Sequence, residues 1–136
     1  MKIIIPGVPV GKGRPKFSTF NGHAVAYTPQ KTVNYETLVK LAFQQSGETA
    51  FDKETQLRAK INAYFPIPKS TSKKKREQME HFLILPTKKP DTDNIAKAIL
   101  DALNGIAYYD DAQICELHVY KFYSSNPRAE VFLNDT

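Results

Sequence analysis

A chain of 136 residues is long enough to bury a hydrophobic core, and one domain spanning residues 1–136 is expected, with no second folded unit. Its only cysteine, Cys115, excludes an intramolecular disulfide and a multi-cysteine zinc site, and suits a reducing cytoplasm. Net charge is +5, but residues 91–116 hold six acids against one base, a net −5, inside a remainder of 18 bases and 8 acids, a net +10.

The first apolar run, Ile3-Ile4-Ile5, stops at Pro6, far short of a signal peptide or a membrane span, so no membrane partner is expected. Lys2 to Ile5 reads as a short strand, followed by a basic loop rich in glycine and proline that runs to Lys16. Ala24 to Tyr27 reads as a second short strand. From Thr28-Pro29 to Gly47 the pattern turns helical, with Val33, Leu38, Val39, Leu41, Ala42 and Phe43 as its apolar positions. Gln56 to Phe65 alternates, with Leu57, Ala59, Ile61, Ala63 and Phe65 on one face of a half-buried strand. Ser72 to Met79 reads as a short charged helix capped by Ser70, Thr71 or Ser72. A second helix begins at Asp91 or Thr92, runs to about Leu103 and stops at Asn104-Gly105. Gln113 to Tyr123 and Ala129 to Leu133 close the chain as two strands joined by Ser124-Ser125-Asn126-Pro127. Interleaved elements with two sequential strands at the end predict a compact α+β domain with a mixed sheet packed by helices.

A basic body attracts polyanions and releases their counterions, which points to nucleic acid. An acidic island within it repels phosphate unless a divalent cation neutralises it. On a helical wheel with Asp93 at zero, Lys97 falls at about 40°, Asp101 at about 80° and Asn94 at about 100°, while Ile95, Ala98, Ile99, Ala102 and Leu103 spread over the opposite side. Such a stripe is also what a solvated helix face with i,i+4 pairs presents, at ~0.3 kcal/mol per pair. Acids at a helix start, as Asp91 and Asp93 are, commonly serve only the cap and the dipole. The link from Gly105 to Tyr109 is short enough to fold Asp110 and Asp111 back towards the helix, and three or four aspartates are a suitable supply for a hard cation.

The run Lys89-Pro90-Asp91-Thr92-Asp93-Asn94-Ile95-Ala96-Lys97, continuing to Asp101-Ala102-Leu103 and followed by Asp110-Asp111-Ala112-Gln113, resembles the signature of the RusA family of Holliday junction resolvases. Gly11-Lys12-Gly13-Arg14-Pro15-Lys16-Phe17 also resembles a stretch found in its phage and bacterial members. The resemblance implies a RusA-like fold, a homodimer, and an endonuclease that cuts four-way DNA junctions in recombination and repair. It implies metal-binding and catalytic roles for Asp91, Asp93 and Asp111, with Asp110 adjacent, and makes Lys97 the catalytic lysine. Magnesium is the expected ion, with manganese as its alternative. Asn94 and Asp101 are expected to act through their neighbours, Asp101 by orienting Lys97 or merely pairing with it.

Lys12, Arg14, Lys16, Lys73, Lys74, Arg76, Lys88 and Lys89 are the expected DNA contacts, the first three on a mobile loop. Phe17, Phe20 and Tyr27 lie close by, with stacking on junction bases and ordinary core packing both open to them. The glycine spacing of that loop is wrong for a nucleotide-binding motif, and Gly13 stands where Ser or Thr is needed. A phosphatase with Asp91 as nucleophile fits poorly, since Asp91 follows a polar linker and not an apolar strand. The remaining alternative is a basic protein that binds branched or duplex DNA without cutting it.

Overall fold

The structure, a computed structural model, describes residues 1–135. The last residue of the expected domain, Thr136, lies outside them. Strand β1 (Lys2–Pro6) alternates as its three isoleucines require, with Ile3 and Ile5 buried and Ile4 exposed. The longest apolar alternation, β4 (Leu57–Pro66), takes the interior of a four-stranded sheet, between β5 (Ile114–Ser124) and β6 (Arg128–Asp135). The order is β1-β6-β4-β5, with β5 parallel to β4 and β6 antiparallel to both β4 and β1. The sheet is therefore mixed, as expected, and the two closing strands flank β4 instead of pairing with each other.

Helices α1 (Gln30–Ser46) and α3 (Thr92–Leu103) pack against each other, α1 also meeting β1 and α3 meeting β5. Seven apolar side chains of α3 are buried, from Ile95 to Leu103, a few of them on each turn. In α1 the buried positions are Thr32, Tyr35, Val39, Ala42 and Phe43, whereas Val33 and Leu41 are exposed. The helix is thus rotated relative to the apolar face expected from sequence, because two polar-capable side chains, Thr32 and Tyr35, complete its inner stripe. Helix α2 (Lys73–Glu80), whose Ser72 hydroxyl accepts from the Lys75 N–H, packs on β5.

The segment before α1 departs most from expectation. Lys16 is not the end of a loop but the start of β2 (Lys16–Phe20), which pairs with β3 (His23–Tyr27) as a two-stranded ribbon outside the main sheet. Asn21 and Gly22, both with positive φ (51° and 78°), form its tight turn, the conformation that a two-residue hairpin favours. All ten strand residues are exposed, including Phe17 at 72% and Phe20 at 68%, so these aromatics are not core.

Candidate active site and basic groove

Helix α3 carries the central stripe. Asp91 occupies its N-cap with extended backbone angles, but its carboxylate makes no capping hydrogen bond. The ordinary use of an acid at that position is therefore not the one made here. Asp93 lies exposed in the first turn, Lys97 one turn on and Asp101 one turn further. At ~1.5 Å rise per residue, Lys97 sits about 6 Å along the axis from each. Its ammonium is 3.6 Å from Asp101 Oδ2 and its side chain remains 61% exposed.

The end of α3 folds the second pair of acids back. Asn104 and Gly105 turn the chain, Gly105 with φ of 76°, and the Ile106 N–H returns to the Leu103 carbonyl. Buried Tyr108 then donates its hydroxyl to the Leu100 carbonyl at 2.6 Å, a partner for one of the carbonyls that a helix end leaves open. The Asp111 N–H donates to Asn104 Oδ1 at 3.2 Å. Asp110 and Asp111 are thereby brought beside α3, where Asp101 and Lys97 act on Asp111.

The two adjacent acids differ in use. Asp110 caps a short 3₁₀ turn (Asp111–Gln113), accepting from the Ala112 N–H, while Gln113 Oε1 accepts from the backbone N–H groups of Tyr109 and Asp110. Gln113 Nε2 donates to the carbonyls of Asp52 and Thr55, which anchors the turn to the segment before β4. The backbone bond from Ala112, and then contact with Asp111, hold the Asp110 carboxyl below the usual range. Desolvation pushes Asp111 up, and the neighbouring Asp110 and Asp101 push it further, against the opposing pull of Lys97. Burial, then the same three aspartates, raise the Tyr108 phenol.

Sequence reasoning missed Glu36 and the ion pairs of Lys12. The Lys12 ammonium lies 3.2 Å from Glu36 Oε2 and 3.5 Å from Asp101 Oδ2, with all three side chains mostly shielded. Its loop is fastened here and is not free-standing: the Lys12 N–H donates to the Asn94 carbonyl and the Gly13 N–H to Thr32 Oγ1, both at 2.9 Å. A Cβ at Gly11 would stand 2.7 Å from Pro90 Cβ, so only glycine permits this approach. One signal was available in sequence, since Glu36 is the first acid of the chain and five bases precede it.

Between this loop and the starts of α1 and α3 lies a cavity of about 500 Å³, lined among others by Arg14, Lys31, Lys89, Asp91 and Asn94. The remaining expected DNA contacts are scattered. Lys73 and Lys74 are exposed on α2, where Arg76 donates to the Pro68 carbonyl. Lys88 is exposed, its carbonyl accepting from Lys121, and Lys16 begins the ribbon.

Among the described residues, no three carboxylate, imidazole or thiol groups converge as a preassembled metal cluster. A closed structural site is built on such a cluster. An open magnesium-type site needs only one or two carboxylates with retained waters. The donor set fits that description: the uncommitted Asp91, the exposed Asp93, and an Asp111 crowded by like charge that a cation would relieve.

Fold and site together define a small α+β protein in which a carboxylate and lysine centre adjoins a basic groove, the arrangement of a nuclease. The chain belongs to the Endodeoxyribonuclease RusA family, which it matches over residues 6–134. It is also similar to the uncharacterized protein YqaN of Bacillus subtilis (strain 168), 41% identical over 138 residues, covering 99% of this chain and 96% of that one. Family membership carries endodeoxyribonuclease activity, in general the resolution of Holliday junctions and dependence on a divalent metal. No helix among the described residues is long and apolar enough to cross a membrane.

Proposed function

We propose that this chain is a structure-selective endodeoxyribonuclease that resolves four-way DNA junctions by paired magnesium-dependent phosphodiester hydrolysis, in DNA recombination and repair. The observation that carries this reading is the crowding of Asp110 and Asp101 on Asp111, with Lys97 paired to Asp101 at 3.6 Å, in a chain of net charge +5. Like charges held together disfavour ionisation, functional sites are where such crowding clusters, and a bound cation would relieve it. Asp91, Asp93 and Asp111, with Asp110 adjacent, would hold magnesium or alternatively manganese, which when bound supplies an acidified water and charge neutralisation at phosphate.

The chain's own residues do the rest. Lys97, exposed and without a second anchor, offers its ammonium to a phosphate oxygen on which negative charge develops. Asp101 holds Lys97 from one turn below, and Lys12 with Glu36 holds Asp101. Lys12 therefore acts on the centre and not on DNA. Asn94 supports the centre through its carbonyl, which fixes the Lys12 backbone. Arg14, Lys16, Lys73, Lys74, Arg76, Lys88 and Lys89 supply phosphate contacts, and Phe17, Phe20 and Tyr27 stand exposed for stacking. Two cuts related by a twofold axis call for two centres, which a symmetric homodimer provides.

A DNA-binding protein without chemistry is the second reading, favoured by the lack of a preassembled three-carboxylate cluster among the described residues. Purified protein would be incubated with a synthetic four-way junction, a fork and plain duplex, in magnesium and in chelator, with products mapped to the nucleotide. Symmetric nicks in the junction in magnesium alone support the nuclease; junction binding without nicks in either magnesium or manganese supports the second reading.

A further inference from the structure

The cavity beside Asp91 is unlike the centre it adjoins. Besides Lys12, three cations line it, Arg14 from the loop before β2, Lys31 from the first turn of α1, and Lys89 from the linker before α3. All three side chains are exposed and make no ion pair or hydrogen bond among the described residues. Lys12, on the same loop, shows the contrast, because its ammonium is taken up by Glu36 and Asp101. Asp91 is the one acid in the lining, and the first 35 residues of the chain contain none. The side-chain amide of Asn94, also on the lining, is likewise without a hydrogen bond among the described residues and is free to donate.

Unpaired cations around one concavity repel each other, and an anion removes that repulsion. The walls are held open by fixed contacts: the Gly13 N–H on buried Thr32, the Lys12 N–H on Asn94, and the close approach of Gly11 to Pro90. At about 500 Å³ the space lies within the roughly 300–1,000 Å³ of pockets that take small organic ligands, and so admits a nucleotide unit rather than a bare ion. Its single acidic edge is the residue that heads the proposed metal set.

Resting on the nuclease reading above, we propose that this cavity seats the sugar and phosphate of the DNA strand next to the phosphate that is cut. Arg14, Lys31 and Lys89 grip the backbone there. The strand then leaves the cavity past Asp91, which sets the scissile phosphate over Asp93 and Lys97. Lys31 becomes a DNA contact that no motif marks, and the grip is on backbone, so it adds affinity and register without base preference.

The test uses junctions carrying one neutral methylphosphonate linkage at a time along the cleaved strand, with binding measured in chelator over a series of salt concentrations. Wild-type protein should lose affinity at a linkage immediately beside the cut. Lys31→Ala, and independently Arg14→Ala, should bind the unmodified junction more weakly, lower the salt slope by about 0.9, and lose little further at that same linkage. Both side chains are exposed, so unchanged melting should accompany these effects. Losses that add in full at every linkage, or variants that bind as wild type does, overturn the proposal. So does a thymidine monophosphate that competes for the cavity while junction binding ignores the variants, which marks a free-nucleotide pocket. A wild-type protein that binds no junction overturns it by removing the reading beneath it, a result distinct from normal binding by the variants.

Discussion

Asp111 is where function and stability pull apart. Its folded-state pKa is raised by desolvation and by neighbouring aspartates, so the charged form is disfavoured by folding. Below the ordinary carboxylate range both folded and unfolded forms are protonated, and nothing is lost. As pH rises the unfolded chain ionises first, and stability falls until the folded group has ionised as well. Asp111→Asn should therefore melt higher than wild type at neutral pH and alike below about pH 3. Magnesium should raise the wild-type melting temperature more than the variant's, because it binds the folded carboxylate. A variant that melts lower at neutral pH would show that the carboxylate stabilises this turn. Lys12 poses the complementary case. Lys12→Met should cut cleavage roughly 10- to 100-fold, as the loss of groups that orient active residues typically does. Junction affinity and salt slope should stay unchanged, since the ammonium already has Glu36 and Asp101 as partners. A drop in salt slope would return Lys12 to the DNA contacts.

At the scale of elements, the turn after α3 decides where Asp110 and Asp111 arrive. Gly105 holds a positive φ of 76° between Asn104 and the Ile106 N–H that closes on Leu103. Gly105→Ala should destabilise the fold by about 1–2 kcal/mol, the cost of a left-handed conformation for a residue with a Cβ. Chemical denaturation would measure it, and an unchanged midpoint would mean that the turn relaxes freely. Helix α3 and β4 were legible because their periodicities are strong: the five helix residues expected on the apolar side are all buried, joined by Ala96 and Leu100, and so are the five alternating ones on the strand. The ribbon was legible by half: Ala24 to Tyr27 reads as a strand and lies in β3, but its partner β2 does not, although Asn21-Gly22 is a strong hairpin signal. Phe17 to Phe20 has no alternation towards a core, because the ribbon packs on none. For α1 the pattern misled, since Thr32 and Tyr35 do the work of apolar residues at the inner face. Thr32 is buried because its hydroxyl takes the Gly13 N–H, a partner no local pattern reveals.

Across the whole molecule, the acidic motif was legible as a list of residues but not as a geometry. The stripe of Asp93, Lys97 and Asp101 follows from helical spacing, whereas the choice of Asp91, Asp93, Lys97 and Asp111 as functional residues follows from the resemblance to the RusA signature. That Asp111 comes to Lys97 and Asp101 depends on Tyr108, Asn104 and the Gln113 anchor, contacts that span separate elements. Glu36 and Lys31 enter only because α1 lies against α3 and the N-terminal loop crosses both. The central question is whether the acids of α3 cut DNA or merely sit near it. Asp93→Asn tests this at one position, since asparagine keeps the shape of the helix start while removing a charge that should both hold metal and repel phosphate. Melting, junction binding in chelator and strand cutting in magnesium would be compared with wild type. Cleavage is expected to fall by orders of magnitude, while folding is kept and binding is equal or tighter. Normal cutting by a folded Asp93→Asn protein would contradict the account.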